Sequence, residues 1–418
     1  MRTNPWWSSA VLGIMLGALA FAAWRMPLTD TDLQQASILK PPHRPAPRPV
    51  FNPEPPIPPA EPSSAVPTLI KASQQQTDAR IKALAHAMGQ MWTRNPEELV
   101  VAIDDASRSN PSSPSVTLLL AIAHAETNGK ILDVSEAGAV GLAQATPVAY
   151  MQEGFTGKIF VTDDYLIGSR SYIMKKPLGD ADMIASVVVA SDTAETRRRA
   201  KRLLKAAKEL RREGIDELQL LAPFATPAYF ERIERMDKHN EAVLDRLTPL
   251  LDHGSRDQLR MFRDEIRLEY REHRQQQSVS WVRYQKELIA KRDRMLESHF
   301  RKDHKTVKRT LAYEASEYLG EHLDDRFSAK SMSRFLVQHL DRKSVEAKAY
   351  ASTEREIEAW TAALYNGGSH NVKRMLAGLI RSLPETQKYM KKVPDTRRRL
   401  DGVIAGVPLD EKAIRTIR

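Results

Sequence analysis

From Pro67 onward, apolar residues recur at helical spacing almost throughout the chain. Leu99, Val100, Ile103 and Ala106 form one stripe. It follows Asn95-Pro96-Glu97-Glu98, which predicts a helix start: Asn as N-cap, Pro at the first helical position, Glu in the first turn. Ser113-Pro114 predicts the opening of a second helix that runs through Leu118, Leu119, Leu120 and Ile122 to Glu126. That segment is apolar on nearly every face, which predicts a buried helix. Thr353 with Glu356 predicts a further helix carrying Ile357, Trp360, Ala363 and Leu364. Strand signals are few, and Gly157–Thr162 is the best of them. No internal repeat is evident, and the expected fold class is mainly α.

Two segments ahead of this body break the pattern. Trp6 to Trp24 carries no charge and is built mostly from Ala, Leu, Gly, Ile, Val and Phe with Trp at both ends. At about 1.5 Å per residue it spans a hydrocarbon core of roughly 30 Å. Residues 1–28 are therefore expected to be a membrane anchor, N-terminus inside. A cleavable signal ending near Ala20-Phe21-Ala22 is the alternative. Either reading exports the rest of the chain. Residues 29–70 form a linker in which proline is dense between Pro41 and Pro67. Proline fixes φ and lacks the amide donor, so the linker is expected to be polyproline-II-like, with a reach of up to about 80 Å.

Charge then narrows the partners. Lys and Arg number 63 against 53 Asp and Glu, a net charge of +10. That balance favours an acidic partner, and export argues against nucleic acid. There is no cysteine, which excludes disulfides and thiolate metal sites, and the histidines are scattered. Neither a metal nor a cofactor is expected. Much of the charge lies in residues 178–352, in runs such as AETRRRAKRLLKAAKELRREG and the stretch from Arg256 to about Lys305. Mixed i,i+4 charges over thin apolar stripes predict long helices packed as a hairpin or coiled coil. A solvated face is the simplest role for that charge, and an arm that docks to an envelope protein or restricts access to the cleft is the sharper one.

The chemistry concentrates at Glu126, a carboxylate at the end of the apolar run LLLAIAHAETNG. Desolvation there raises its pKa, as a general acid requires, although a solvated helix end would present the same sequence. Downstream lie Ser135, Gly138-Ala139, Gly141-Leu142, Gln144 and Pro147. Glycines three apart permit a tight turn close to a ligand, and Gln144 offers amide groups to a sugar. His124 reads as a packed histidine, and Asp133 and Glu136 read as solvated loop charges.

These residues resemble the soluble-lytic-transglycosylase (SLT) family of the lysozyme-like superfamily. The family's Glu-Ser, its later Ser, its Gly-Ala-x-Gly-Leu-Met-Gln and its Pro match ETNGKILDVSEAGAVGLAQATP offset for offset. Its Ala-Tyr-Asn-Ala-Gly block is similar to Leu364-Tyr365-Asn366-Gly367-Gly368, and its Pro-Glu-Thr-x-x-Tyr-x-x-Lys-Val block to Pro384, Glu385, Thr386, Tyr389, Lys392 and Val393. Thr127 stands for the usual Ser and keeps its hydroxyl, while Gly129 stands for an aromatic and Ala143 for Met, two losses of bulk that predict a wider or less well packed glycan subsite. A middle block is only loosely echoed by DDYLIGSRSYI.

The resemblance implies a lysozyme-like helical domain in two parts, 78–177 and 353–396, interrupted by the 178–352 insertion and followed by a basic tail, 397–418. It implies cleavage of peptidoglycan glycan strands with Glu126 as sole acid/base. Glu126 protonates the oxygen between MurNAc and GlcNAc, and the MurNAc 6-hydroxyl then closes a 1,6-anhydro ring. It implies that Tyr365 supports Glu126, and that Thr127, Gln144, Gly141, Asn366 and Glu385 bind substrate. A glycan-binding scaffold that does not cut, and a hydrolytic muramidase on the same fold, stay open as alternatives.

Overall fold

The computed structural model describes residues 66–92, 96–300 and 312–409, with side chains from residue 76 on. The expected anchor, most of the proline-rich linker and the last residues of the tail lie outside the described residues. Thirteen helices are described: α1 (Val66–Met91), α2 (Pro96–Arg108), α3 (Val116–Thr127), α4 (Pro147–Gln152), α5 (Asp163–Ala190), α6 (Ala194–Gln219), α7 (Pro227–Asp252), α8 (Arg256–Phe300), α9 (Ala312–His322), α10 (Ala329–Ala347), α11 (Glu354–Gly367), α12 (Ser369–Leu376) and α13 (Pro384–Ile404). The chain is mainly helical. Among the described residues there is no strand, only isolated bridges pairing Val134 with Val140 and Val140 with Ala145. No helix among them is long and apolar enough to cross a membrane.

Local chemistry sets the helix starts. α2 begins at Pro96 with Glu97 and Glu98 in its first turn. α11 begins behind a capping box in which Thr353 and Glu356 exchange hydrogen bonds with each other's backbone amides. α3 starts later than Ser113-Pro114 suggests. Ser115 is its N-cap, accepting from the amide of Leu118 at 3.3 Å, while the Ser113 hydroxyl turns to Ser107. The segment Gly157–Thr162 is not a strand. Its polar backbone is met locally instead: the Phe160 amide donates to Asp324 at 2.9 Å, and the Lys158 carbonyl accepts from Asp325 at 2.7 Å.

Two hydrophobic cores organise the helices. The first gathers α1–α3 with α9, α10 and α13 around the fully buried Leu119, Leu120 and Ile122, and includes Phe327, Met332 and Phe335. The second joins the C-terminal half of α5 to α6, α7 and the start of α8 through Leu178, Val188, Leu204, Leu247 and Phe262. α8 belongs to both, since Tyr284, Leu288 and Leu296 enter the first core.

The 178–352 insertion is thus partitioned. α5 runs unbroken through residue 178 with Pro177 inside it. Residues 312–347 pack into the first core, and so do the adjoining ends of α6 and α7 through Leu218, Tyr229 and Ile233, so the arm is the rest of α6 and α7 with the near half of α8. α1 begins at Val66, within the 29–70 segment, and α13 continues past residue 397 to Ile404.

Candidate active site

Nine of the twelve residues of α3 are buried, which carries its apolar sequence through the middle of the first core. The helix must end where that core meets solvent, and it does so on Asn128 in the left-handed conformation, φ 54°. Glu126 lies in this last turn, partly exposed at its edge but with protein packed densely around the carboxyl group. Burial pushes its pKa up to about 7. A hydrogen bond from Tyr389 works the other way, and the charge of Glu385 adds to the rise. The Tyr389 hydroxyl donates to Glu126 Oε1 at 2.7 Å. With Oε1 so engaged, the proton of the neutral acid falls to Oε2.

Tyr365 stands beside the same carboxyl group. Burial, and then the charge of Glu126, raise its phenol well above the usual range. Its hydroxyl, however, donates to the carbonyl of Ala143 at 2.5 Å rather than to Glu126. The hydrogen bond to Glu126 expected of Tyr365 is made instead by Tyr389, one α-helical turn beyond Glu385 on α13. Both phenols stay neutral donors at ordinary pH, Tyr389 for the same reason of burial and a nearby Glu126.

The loop after α3 is shaped by residues in the left-handed region: Gly129 at φ 76°, Gly138 at 74°, Gly141 at 75° and Gln144 at 46°. Gly141 packs so closely on the Arg326 backbone that an added Cβ would lie 2.1 Å from its carbonyl oxygen. The Gln144 side chain donates to the Gly141 carbonyl at 3.0 Å, closing the turn on itself. Thr127 is buried, with its hydroxyl directed back to the Ala123 carbonyl at 3.3 Å. Asn366 accepts from Thr386 at 2.9 Å, fastening α11 to α13. Glu385 is exposed in the first turn of α13. Glu126, Tyr365 and Glu385 are therefore brought together, while Thr127, Gly141, Gln144 and Asn366 are occupied in holding the loop and helices in place.

Neither altered position opens a gap. At Gly129 an added Cβ would lie 2.5 Å from the ring of Trp92, so the indole of α1's end fills the space an aromatic at position 129 would take. Trp92 is itself buried and donates to His124 at 3.1 Å, which gives that histidine its packed role. Ala143 is 1% exposed, its carbonyl bound by Tyr365. Asp133 and Glu136 are exposed.

Several functional supports carry no signature in the sequence. Arg326, fully buried, donates to the carbonyls of Gly138 and Ala145 at 3.0 Å each, and pairs with the buried Asp324 at 2.7 Å. Burial opposes its charge, but Asp324 and Tyr284 hold it firmly cationic. From α8, Gln285 donates to the Val134 carbonyl at 2.9 Å and Arg292 to that of Leu132 at 2.5 Å. The loop beyond Glu126 is thus pinned from two sides by residues distant in sequence. Among the described residues no cluster of His, Asp and Glu could hold a metal ion.

Compared with known proteins, the chain matches no family profile, no curated protein and no solved structure.

Proposed function

We propose that this chain is a lytic transglycosylase of lysozyme-like fold that cuts peptidoglycan between MurNAc and GlcNAc, with Glu126 as acid and base. The observation that carries the reading is the state of that carboxyl group: mostly buried but reaching the surface at the end of a buried helix, its pKa near 7, tethered through one oxygen by Tyr389. A general acid works best with a pKa close to the working pH, because both protonation states are then accessible. Oε2 donates to the glycosidic oxygen as the bond to MurNAc C1 breaks. The carboxylate so formed is steadied at Oε1 by Tyr389 and then takes the proton of the MurNAc 6-hydroxyl as that oxygen attacks C1. An intramolecular nucleophile of this kind has a high effective concentration, so no second carboxylate is required. Tyr389 and Tyr365 are positioning residues: the first orients the carboxyl, and the second ties the α11 turn to the loop at Ala143.

The reading includes export and tethering at the inner membrane through residues 1–28, with the proline-rich segment as spacer to the cell wall and the arm as a surface for an envelope partner. One further reading has an observation behind it. The charge of Glu385 acts on Glu126, so a hydrolytic route with Glu385 activating a water is the alternative.

Digestion of purified sacculi, followed by mass spectrometry of the ends, tests these readings. Anhydro-muropeptides lost in Glu126→Gln support the transglycosylase. Reducing ends lost in both Glu126→Gln and Glu385→Gln support hydrolysis. Binding of sacculi without cleavage by either protein ends both readings in favour of a scaffold.

A further inference from the structure

A second charged cluster lies behind the α11–α12 turn, between α5 and α12. Four of its members are almost wholly buried: Lys176 at 6% exposure, Asp180 at 4%, His370 at 7% and Arg374 at 7%. Its carboxylates are already engaged. Asp180 pairs with Arg374, which also reaches the Lys176 carbonyl. Glu213 accepts from Lys373 at 2.9 Å, and Glu346 accepts from Ser369, which is in turn bound by Lys343. Lys175 and Lys176 are left with no carboxylate within ion-pair distance among the described residues. Both ammonium groups converge on the ring of Tyr172, at 5.1 and 4.4 Å from its centroid. Nδ1 of His370 is buried without a hydrogen-bond partner, with a Glu213 carboxylate oxygen 3.8 Å away.

Asp180 offsets Lys176 and Glu213 lies by His370, but two ammonium groups converging on one ring remain unfavourable unless a further counter-charge completes the group. The strain is visible in the titration of its members. Burial, with Arg274, Lys176 and Arg374 nearby, lowers Lys175 to about 8, and burial with Lys176, Arg374 and Lys373 lowers His370 to about 3. The cluster also adjoins the candidate active site: Asn371 donates both to the Tyr172 hydroxyl at 3.1 Å and to the Gly367 carbonyl at 2.9 Å, next to Asn366.

We infer that Lys175, Lys176 and His370 frame an anion-binding subsite that takes a carboxylate or similar oxyanion. Resting on the function proposed above, the natural source is a carboxylate on the peptide stem carried by the glycan strand, so the subsite selects peptide-bearing strands. The two lysines supply charge-assisted hydrogen bonds, the Tyr172 ring holds both, and His370 lies in the first turn of α12, where backbone N–H groups lack intrahelical acceptors.

Calorimetry on the full chain near pH 8, about where Lys175 is half-protonated, tests the inference. Sulfate is the first probe because it does not titrate there, and a peptide-bearing disaccharide and its stem-free counterpart are the second and third. The expected result is saturable sulfate binding with uptake of up to about half a proton, measured in buffers of different ionisation heat. Lys176→Gln should weaken it about tenfold or more, and Lys175→Arg should bind without proton uptake. If Lys176→Gln fails to fold, Lys175→Gln, at a half-buried position, replaces it. Preference for the stem-bearing disaccharide assigns the source to the strand, and sulfate binding without that preference assigns it to a free oxyanion. No saturable binding of any probe, or binding indifferent to the lysine variants, overturns the subsite. Sulfate binding does not depend on cleavage, so failure of the proposed function leaves that arm standing.

Discussion

Replacing Glu126 by Gln keeps the shape of the side chain and the acceptor for Tyr389 but removes the ionisable group. The magnitude of the effect follows from the shift at that carboxyl, from an ordinary 4.5 to about 7. A carboxyl whose pKa is higher in the folded chain binds its proton more tightly there. Its contribution to stability is complete below about pH 4.5 and is lost as the pH rises through about 7, where ionisation forces a charge into a poorly solvated site. At about 1.4 kcal/mol per unit, the change is about 3 kcal/mol. The assay is urea unfolding of parent and variant at about pH 4.5 and about pH 8, compared as a difference of differences. Other groups with raised pKa values, such as Asp180 at about 6, then cancel because both proteins contain them. Glu126→Gln should gain about 3 kcal/mol on the parent between the two pH values. Parallel pH dependence in the two proteins, to within about 1 kcal/mol, would refute the reasoning, because Glu126 would then be an ordinary solvated helix end.

Tyr389→Phe removes the bond that lowers the Glu126 pKa, so the alkaline limb of the activity–pH profile should move to higher pH while the maximal rate falls. Tyr365→Phe breaks only the link to Ala143 and should lower the rate with little movement of that limb. Arg326→Met leaves Asp324 charged and buried and orphans two loop carbonyls, which should destabilise the fold by about 3–5 kcal/mol, read as a fall in melting temperature. Gly129→Ala places a Cβ against the Trp92 ring at a left-handed φ. It should cost about 1–3 kcal/mol and alter the near-ultraviolet circular dichroism of the indole.

What the sequence made legible was whatever depends on neighbours in the chain. The starts of α2 and α11, the burial of α3 and the exit of Glu126 from its end follow from caps and an apolar run a few residues long, and the structure has them where that local chemistry puts them. Long-range partners were not legible. Nothing in the spacing around Arg326 marks it as the residue that fixes the Gly138–Ala145 loop, since its partners lie more than 180 residues away. Tyr365 and Tyr389 show the same limit more sharply. Both stand in recognisable blocks, and both flank Glu126, but which hydroxyl donates to it depends on how α11 and α13 pack. There α13 wins because Ala143 draws the other phenol aside. The insertion shows it again: charge patterning predicts long helices without saying which core they serve. α8 serves both, its far half carrying Tyr284, Gln285 and Arg292 into the loop beyond Glu126. An arm built on that helix is therefore part of the mould that shapes the site, and deleting residues 256–300, which removes Tyr284, Gln285 and Arg292, should disorder the loop even though every residue of the SLT-like blocks remains.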